Sequence, residues 1–364
     1  MRIALDAMGG DVGPSAIVRG GVDAVQEMGL DVVLIGKRDL VRPEMRKTNP
    51  RSLVLPMVDA EEVVGMHEPA AFAARYKKQS SIVVGMNMLK MGQVSAFVSA
   101  GNTGAITAAA ILILGREKGI DRPALCAVFP FAKGPLMFLD IGANANCKPG
   151  SLVQFAQMGN VYMQKVLGIE RPRVGLLSIG EEENKGNLLV QEAHKLLKKS
   201  NVNFVGNVES KDLTSGAADI LVTDGFTGNL ILKMGEGMGE MFLRTLRQSA
   251  QRKWYTRLAY RMLNPSIQTI IQQLDYTEYG GAFLLGVKGN VIISHGRSDA
   301  KAIKNAVSVA QRMVDKNVLK AVSESSQEQS HGGFHFGLHK LKNLRKDDGT
   351  SKQGELSEPN GRSN

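Results

Sequence analysis

The chain has little of several things on which familiar sites depend. Its 364 residues include two cysteines, Cys126 and Cys147, too few for a disulfide framework. A reduced, cytoplasmic setting is therefore expected. Aromatic residues make up 5% of the chain and do not alternate with basic ones, which argues against a nucleic-acid partner. The longest nearly apolar run, Ala105 to Leu114, falls far short of the ~20 residues that span a bilayer. Asp6 interrupts any signal-peptide core at the N-terminus. Neither G-x-S-x-G, H-E-x-x-H, a P-loop nor C-x-x-C occurs, so the site must work without an elbow serine, a zincin helix or a Walker loop.

Acid is missing from one long stretch. Between Met241 and Leu274 there is no Asp or Glu, whereas Arg244, Arg247, Arg252, Lys253, Arg257 and Arg261 are basic. Trp254, Leu258 and Met262 recur every fourth residue, and Ile267, Ile270, Ile271 and Leu274 continue at helical spacing beyond Pro265. This predicts a basic amphipathic helical arm over about 241–275. It packs on its own protein or across a dimer interface, or it docks on acidic partners through Arg252, Lys253, Trp254, Arg257 and Leu258. The net charge is +10, a balance suited to an acidic protein or anionic lipid.

What the chain has in quantity is small and polar residues at the ends of apolar runs. Phe97-Val98 leads into Ser99-Ala-Gly-Asn-Thr-Gly104, and three more junctions repeat the device: Asp140-Ile-Gly-Ala-Asn144, Ser178-Ile-Gly-Glu181 and Asp224-Gly-Phe-Thr-Gly-Asn229. Such residues let backbone N–H groups and short side chains approach a ligand, and a following helix points its positive dipole end at an anion. Four of them predict the carboxyl edge of a parallel α/β sheet, where ligands of such folds bind.

The rest of the chain reads as alternating strands and helices. Arg2 to Leu5 is a strand, and Asp6-Ala-Met-Gly-Gly-Asp11 leads to a helix from about Ser15. Glycines 9, 10 and 13 do not make G-x-G-x-x-G, so a dinucleotide loop is not favoured. Residues 37–80 are less regular, with Val58 to Val64 read as a turn into a helix. Leu125–Phe129 and Leu136–Ile141 flank a turn and read as a hairpin. A single α/β domain over 1–322 is expected, followed by a polar, disordered tail over 323–364. His331, His335 and His339 fall four apart in that tail, but Gly332, Gly333 and Gly337 undermine the helix that a metal site would need.

The chemistry on offer at the junctions is that of donors. Asn102, Thr103, Asn144, Asn146, Thr227 and Asn229 supply amides and hydroxyls, and lysines stand at 148, 185 and 233. Such a set holds an anion and stabilises an oxyanion without itself forming a bond. Asp6, Asp11, Asp140 and Asp224 either orient donors, take a proton or cap helices. His295 follows a strand and either reaches the cleft or only ends the strand, and His194 is read as solvated. Cys147 beside Lys148 is the one thiol near the cleft, although a small loop residue explains it as well.

Asp6 to Asp11, Ser99 to Gly104, Asp140 to Asn144, Ser178 to Glu182 with Lys185-Gly-Asn187, Asp224 to Asn229, and Tyr279 to Ala282 with His295-Gly296 occur in that order. Together these motifs resemble the bacterial phosphate acyltransferase family, the acyl-carrier-protein:phosphate acyltransferases of phospholipid synthesis, over residues 1 to about 320. The resemblance implies a Rossmann-like, largely parallel layered sheet related to phosphotransacetylases and isocitrate dehydrogenase-type folds. It also implies a homodimer, no cofactor, and transfer of a long-chain acyl group from acyl carrier protein to inorganic phosphate. The acyl phosphate would pass to a membrane glycerol-3-phosphate acyltransferase, which suits a cytoplasmic protein held peripherally at an anionic membrane surface. Catalytic roles are expected of Lys185, Asp224 and His295. Substrate contacts are expected of Asp6, Gly10, Asn102, Thr103, Gly104, Asn144 and Asn229. Two rivals remain: an NAD(P)-linked decarboxylating dehydrogenase on a similar scaffold, and a non-catalytic phosphate- or carrier-binding protein.

Overall fold

The computed structural model describes residues 1–48, 53, 55–251, 253–274 and 280–331. The first elements are β1 (Arg2–Asp6), α1 (Pro14–Met28), β2 (Asp31–Gly36), α2 (Arg38–Thr48), β3 (Met57–Asp59) and α3 (Ala70–Tyr76). They are followed by α4 (Ser81–Lys90), β4 (Ala96–Ser99), α5 (Thr103–Ala109) with a π-helical turn (Ala110–Leu114), β5 (Ala124–Phe131) and β6 (Gly134–Leu139). Then come α6 (Pro149–Leu167), β7 (Arg173–Ser178), α7 (Leu188–Leu197), β8 (Asn203–Glu209) and β9 (Ile220–Val222). The last are α8 (Gly225–Gln251), α9 (Trp254–Leu274), β10 (Ala282–Leu285), β11 (Asn290–Ile293), α10 (Ala300–Asp315) and α11 (Val318–His331).

The eleven strands of the described residues join one sheet, in the order β3-β2-β1-β4-β11-β10-β5-β6-β9-β7-β8. Side chains alternate across it. Ile3, Leu5 and Val98 point into one core, and Ala4, Phe97 and Ile293 into the other, as the two-residue strand period requires. Helices α1, α6 and α10 cover the first face, and α4 and α5 cover the second.

Strand direction corrects the expectation of one shared carboxyl edge. The block β3-β2-β1-β4-β11 is parallel throughout, and so is β6-β9-β7-β8. Between them, β10 and β5 are antiparallel to both of their neighbours. Traced across the sheet, β6 therefore runs opposite to β4. The cause is the tight hairpin at Pro130–Pro135, which sends β6 back along β5 and sets the direction of every strand built on it. The junctions after β6, β7 and β9 thus emerge at the edge opposite to the one after β4.

Three smaller readings change. Residues 37–80 contain α2 and α3, which the sequence hid: α2 buries only Val41 and carries Pro43 inside it, and α3 is seven residues long. No helix forms over Val58 to Val64: Val58 and Asp59 belong to β3, paired to β2 with Met57 opposite Leu34. Beyond it, Glu62 bridges to Ser80. Helix α11 runs past Ser323, with Val322 buried and Ser326 Oγ donating to the Lys118 carbonyl at 2.7 Å. His335 and His339 lie outside the described residues.

Helices α8 and α9 form the arm, which starts earlier than the charge pattern suggested. Phe226, Leu230, Met234, Met238 and Phe242 recur every four residues along α8, and all are exposed. Trp254 (77% exposed), Tyr255, Leu258 and Met262 continue the apolar surface on α9. Lys253 and Arg257 are exposed beside them, and Arg252 lies outside the described residues. None of the described helices is long and apolar enough to cross a membrane.

Candidate active site

The first edge gathers the loops after β1, β4 and β11, and it is organised from below by Asp6. This carboxylate is 1% exposed. It accepts from Ser99 Oγ at 2.6 Å and from the Met8 amide at 2.9 Å. Ser99 Oγ in turn accepts from the Gly101 amide at 3.0 Å. Burial pushes the Asp6 carboxyl up from its ordinary value, and hydrogen bonds from Ser81, Ser99, Met8 and Gly9 oppose that. Asp6 therefore sits beneath the surface a substrate would touch and ties two loops together. Gly10, at φ 89, adopts a conformation that suits glycine, and a Cβ there would press on the Gly296 carbonyl at 3.0 Å. The Asp11 amide donates to that same carbonyl at 2.7 Å, which locks the β1 loop to the β11 loop.

Asn102 is occupied as well. Its Oδ1 caps α5 by accepting from the Ala105 amide at 3.0 Å. Its Nδ2 donates to the carbonyls of Met66 and Glu68, each at 3.0 Å, and to that of Gly65 at 3.3 Å. Asn102 is thus a clamp on the strap formed by residues 63–68. Lys77 Nζ secures the strap from outside, donating to the Val63 carbonyl and to Glu68 Oε1, each at 2.7 Å. That ion pair holds the Glu68 carboxyl below its usual range. Thr103 is half-buried, its hydroxyl without a hydrogen-bond partner among the described residues, and Gly104 is exposed on the first turn of α5.

His295 stands at the end of β11. Its Nδ1 accepts from the Arg297 amide at 3.1 Å, so in the neutral ring the proton is on Nε2. That Nε2 lies 4.0 Å from Glu236 Oε1 on α8, and Arg297 Nη1 lies 3.8 Å from Glu240 Oε2. The long α8 therefore starts at the second edge and reaches the first. The hydroxyls of Ser294 and Ser298, on either side of His295, are buried without a partner among the described residues. The fifteen-residue α1 begins at the same edge behind Gly13 and Pro14, and no side chain caps its amides.

The second edge holds the remaining expected residues. Asp140, fully buried, accepts from the amides of Leu125, Gly142 and Ala143 and from both nitrogens of Asn144 at 2.7–3.1 Å. Asn144 Nδ2 also donates to the Pro123 carbonyl at 2.6 Å, so its amide nitrogen is committed to the loop. Asp224 caps α8, accepting from Thr227 N at 2.9 Å and Thr227 Oγ1 at 2.8 Å. The close seating of α8 on this loop needs Gly228, where a Cβ would overlap the Asp140 carbonyl. Asn229 rests against Gly142, half-buried and without a hydrogen-bond partner among the described residues. Cys147 faces the Asn144 carbonyl at 3.6 Å, and burial with the nearby Asp140 charge pushes its thiol up to about 11. Lys185 is exposed in the loop after β7. His194, read as solvated, is instead 4% exposed and bonded to Asn207 Oδ1 at 2.9 Å.

The structure thus brings Asp6, Gly10, Asn102, Thr103, Gly104 and His295 together, and it holds Lys185, Asp224, Asn144 and Asn229 on the opposite edge. Sequence reasoning missed Glu236 and Glu240, and it missed the strap. The available signal was an acidic i, i+4 pair opposed to an apolar stripe on one helix.

This arrangement defines a class by its fold. A phosphotransacetylase from Streptococcus pyogenes superposes with a TM-score of 0.59 at 18% identity, covering 86% of this chain and 94% of its own. A 4-hydroxythreonine-4-phosphate dehydrogenase from Klebsiella pneumoniae does so at 0.50 and 14%, covering 86% and 99%, so the scaffold alone does not select the chemistry. The family model described as fatty acid synthesis protein matches residues 1–321, and the chain belongs to that family. Phosphate acyltransferases from Pelotomaculum thermopropionicum and Thermoanaerobacter pseudethanolicus are each 47% identical over 325 residues. Those matches cover 89% of this chain and 95% and 97% of theirs. The resemblance carried by the six motifs is borne out.

Proposed function

We propose that the chain is a phosphate acyltransferase, moving a long-chain acyl group from the thioester of acyl carrier protein to inorganic phosphate. The observation that carries this is the 47% identity to phosphate acyltransferases across nearly the whole chain. The first edge supports it chemically. Phosphate is already a nucleophile, so the site must position it and stabilise an oxyanion, not activate a serine or cysteine. A phosphate oxygen bonds to the thioester carbon, the tetrahedral oxyanion collapses, and the carbon–sulfur bond breaks. The phosphate hydroxyl loses one proton and the departing sulfur gains one. His295 is an imidazole at this edge able to relay it. Thr103 and the uncapped amides of α1 are donors suited to phosphate. Asp224, Asn144 and Asn229 serve the chemistry less directly, through the loops that seat α8, and Lys185 through the loop after β7.

The exposed stripe on α8 suits a homodimer contact. The basic, apolar tip around Lys253, Trp254, Arg257 and Leu258 suits reversible docking on acidic carrier protein or an anionic membrane surface, close to the membrane acyltransferase that would use the product. Each basic residue near such a membrane contributes ~1 kcal/mol, which gives peripheral attachment and not permanent anchoring.

The test is incubation with long-chain acyl carrier protein and phosphate, trapping acyl phosphate with hydroxylamine. Acyl hydroxamate that depends on phosphate and survives EDTA is expected. Its absence with every chain length would end this reading, and a nicotinamide fluorescence change with substrate oxidation would favour the dehydrogenase.

A further inference from the structure

Glu236 is not explained by the acyl-transfer chemistry or by the fold of α8. It lies mid-helix, about 200° around the axis from Met234 at 100° per residue, so it faces away from the exposed apolar stripe. Its carboxylate is 34% exposed and stands opposite His295, itself 37% exposed, at 4.0 Å from Nε2. The other ring nitrogen is already fixed by the Arg297 amide. Among the described contacts, the ring is thus hydrogen-bonded by its own loop on one side and faces the arm helix on the other. One turn further on, Glu240 faces Arg297 of the same loop at 3.8 Å. That second pair is largely exposed, with Arg297 at 74% and Glu240 at 58%, and surface pairs of this kind contribute little. Glu236 is the contact that counts.

The geometry points to Glu236 as the positioning residue for His295: a carboxylate on the arm helix that faces the Nε2–H edge and favours the tautomer and ring orientation in which the imidazole borders the reacting groups. It touches neither phosphate nor thioester and acts through the imidazole. Because α8 carries the apolar stripe on its other face, whatever covers the stripe also sets where Glu236 stands. The arm and the reacting site are therefore joined by one rigid helix.

The inference rests on the acyl-transfer reading of the His295 edge, and two independent measurements test it. In a double-mutant cycle, Glu236→Gln should lower kcat about tenfold with KM for phosphate little changed, and Glu236→Asp should recover part of the loss. In the His295→Asn background, Glu236→Gln should change kcat less than twofold. Equal losses in both backgrounds, or none in the parent, would show that Glu236 does not act through His295. The second measurement needs no turnover. In histidine-labelled protein, the His295 ring signal, assigned by its loss in His295→Asn, should move in Glu236→Gln and stay in place in Glu183→Gln on the far edge. A signal unmoved by Glu236→Gln overturns the proposal even if the enzyme reading stands. A His295 signal that moves in Glu236→Gln, with a parent that forms no acyl phosphate, overturns the acyl-transfer reading and leaves the Glu236–His295 contact in force.

Discussion

Ser99 Oγ and Asp6 Oδ2 lie 2.6 Å apart in the buried floor of the first edge, joining the end of β4 to the end of β1. The same hydroxyl receives the Gly101 amide, so one side chain fixes both loops.

Ser99→Ala should therefore destabilise the fold by about 2 kcal/mol, since it leaves a buried carboxylate and a buried amide each short of a partner. The pH dependence at Asp6 has a definite sign. Burial raises its carboxyl in the folded state, so its contribution to stability is fully present below the unfolded value of ~4 and is lost as pH rises through the raised folded value. Measured by urea unfolding, the stability gap between the parent and Asp6→Asn should narrow from pH 4 to pH 7. A widening gap would mean that the hydrogen bonds outweigh desolvation.

Cys147 should be dispensable. With its thiol near 11, the thiolate fraction at neutral pH is about a hundredfold below that of an ordinary cysteine. Iodoacetamide should label it slowly, with the rate climbing as pH approaches 11. Cys147→Ala should keep most of its turnover. A hundredfold loss, about 2.7 kcal/mol of barrier, with an acyl-cysteine detected by mass, would establish a covalent route.

Truncation should distinguish two end points that composition alone merged. Ending the chain at Val322 removes the Ser326 bond to Lys118 and most of α11, and the melting temperature should drop by several degrees. Ending it at His331 should leave melting and turnover nearly unchanged. Equal melting of the two would show that α11 does not hold the domain.

Charge reversal at Arg252, Lys253 and Arg257 should weaken binding to anionic vesicles and to acyl carrier protein while the fold stays intact. Trp254→Ala should weaken vesicle binding more than carrier binding, because a buried aromatic serves lipid and the charges serve both. Variants that bind both partners like the parent would make the arm purely structural.

The sequence made the elements legible where apolar periodicity was strong. β1, β4 and the β5–β6 hairpin follow their patterns, and the arm was visible from its charge and its four-residue spacing. Helices α2 and α3 were hidden because they bury few residues. Strand direction was the larger gap. The Asp140, Ser178 and Asp224 junctions look like the Ser99 junction residue by residue, since each needs small and polar groups where a strand meets a helix or loop. Which edge each one reaches depends on pairing between residues far apart in sequence, and local composition does not encode that. Asp6 and Asn102 show the same limit. A polar residue at a strand end looks identical in sequence whether or not its side chain, as with Asp6 and Asn102, is hydrogen-bonded to a neighbouring loop.

On this reading, acyl transfer takes place on the His295 edge and not on the Asp224 edge. The most direct measurement is the kcat of acyl phosphate formation for His295→Asn beside Asp224→Asn and Asn229→Ala, each checked for its fold by thermal melting. Loss of a proton-relaying imidazole should cost about a hundredfold or more. Asp224→Asn, a change at a helix cap, should lower stability by about 1 kcal/mol and leave kcat within a few-fold, as should Asn229→Ala. Full turnover in His295→Asn together with inactive, folded Asp224→Asn and Asn229→Ala would move the chemistry to the opposite edge and contradict the account.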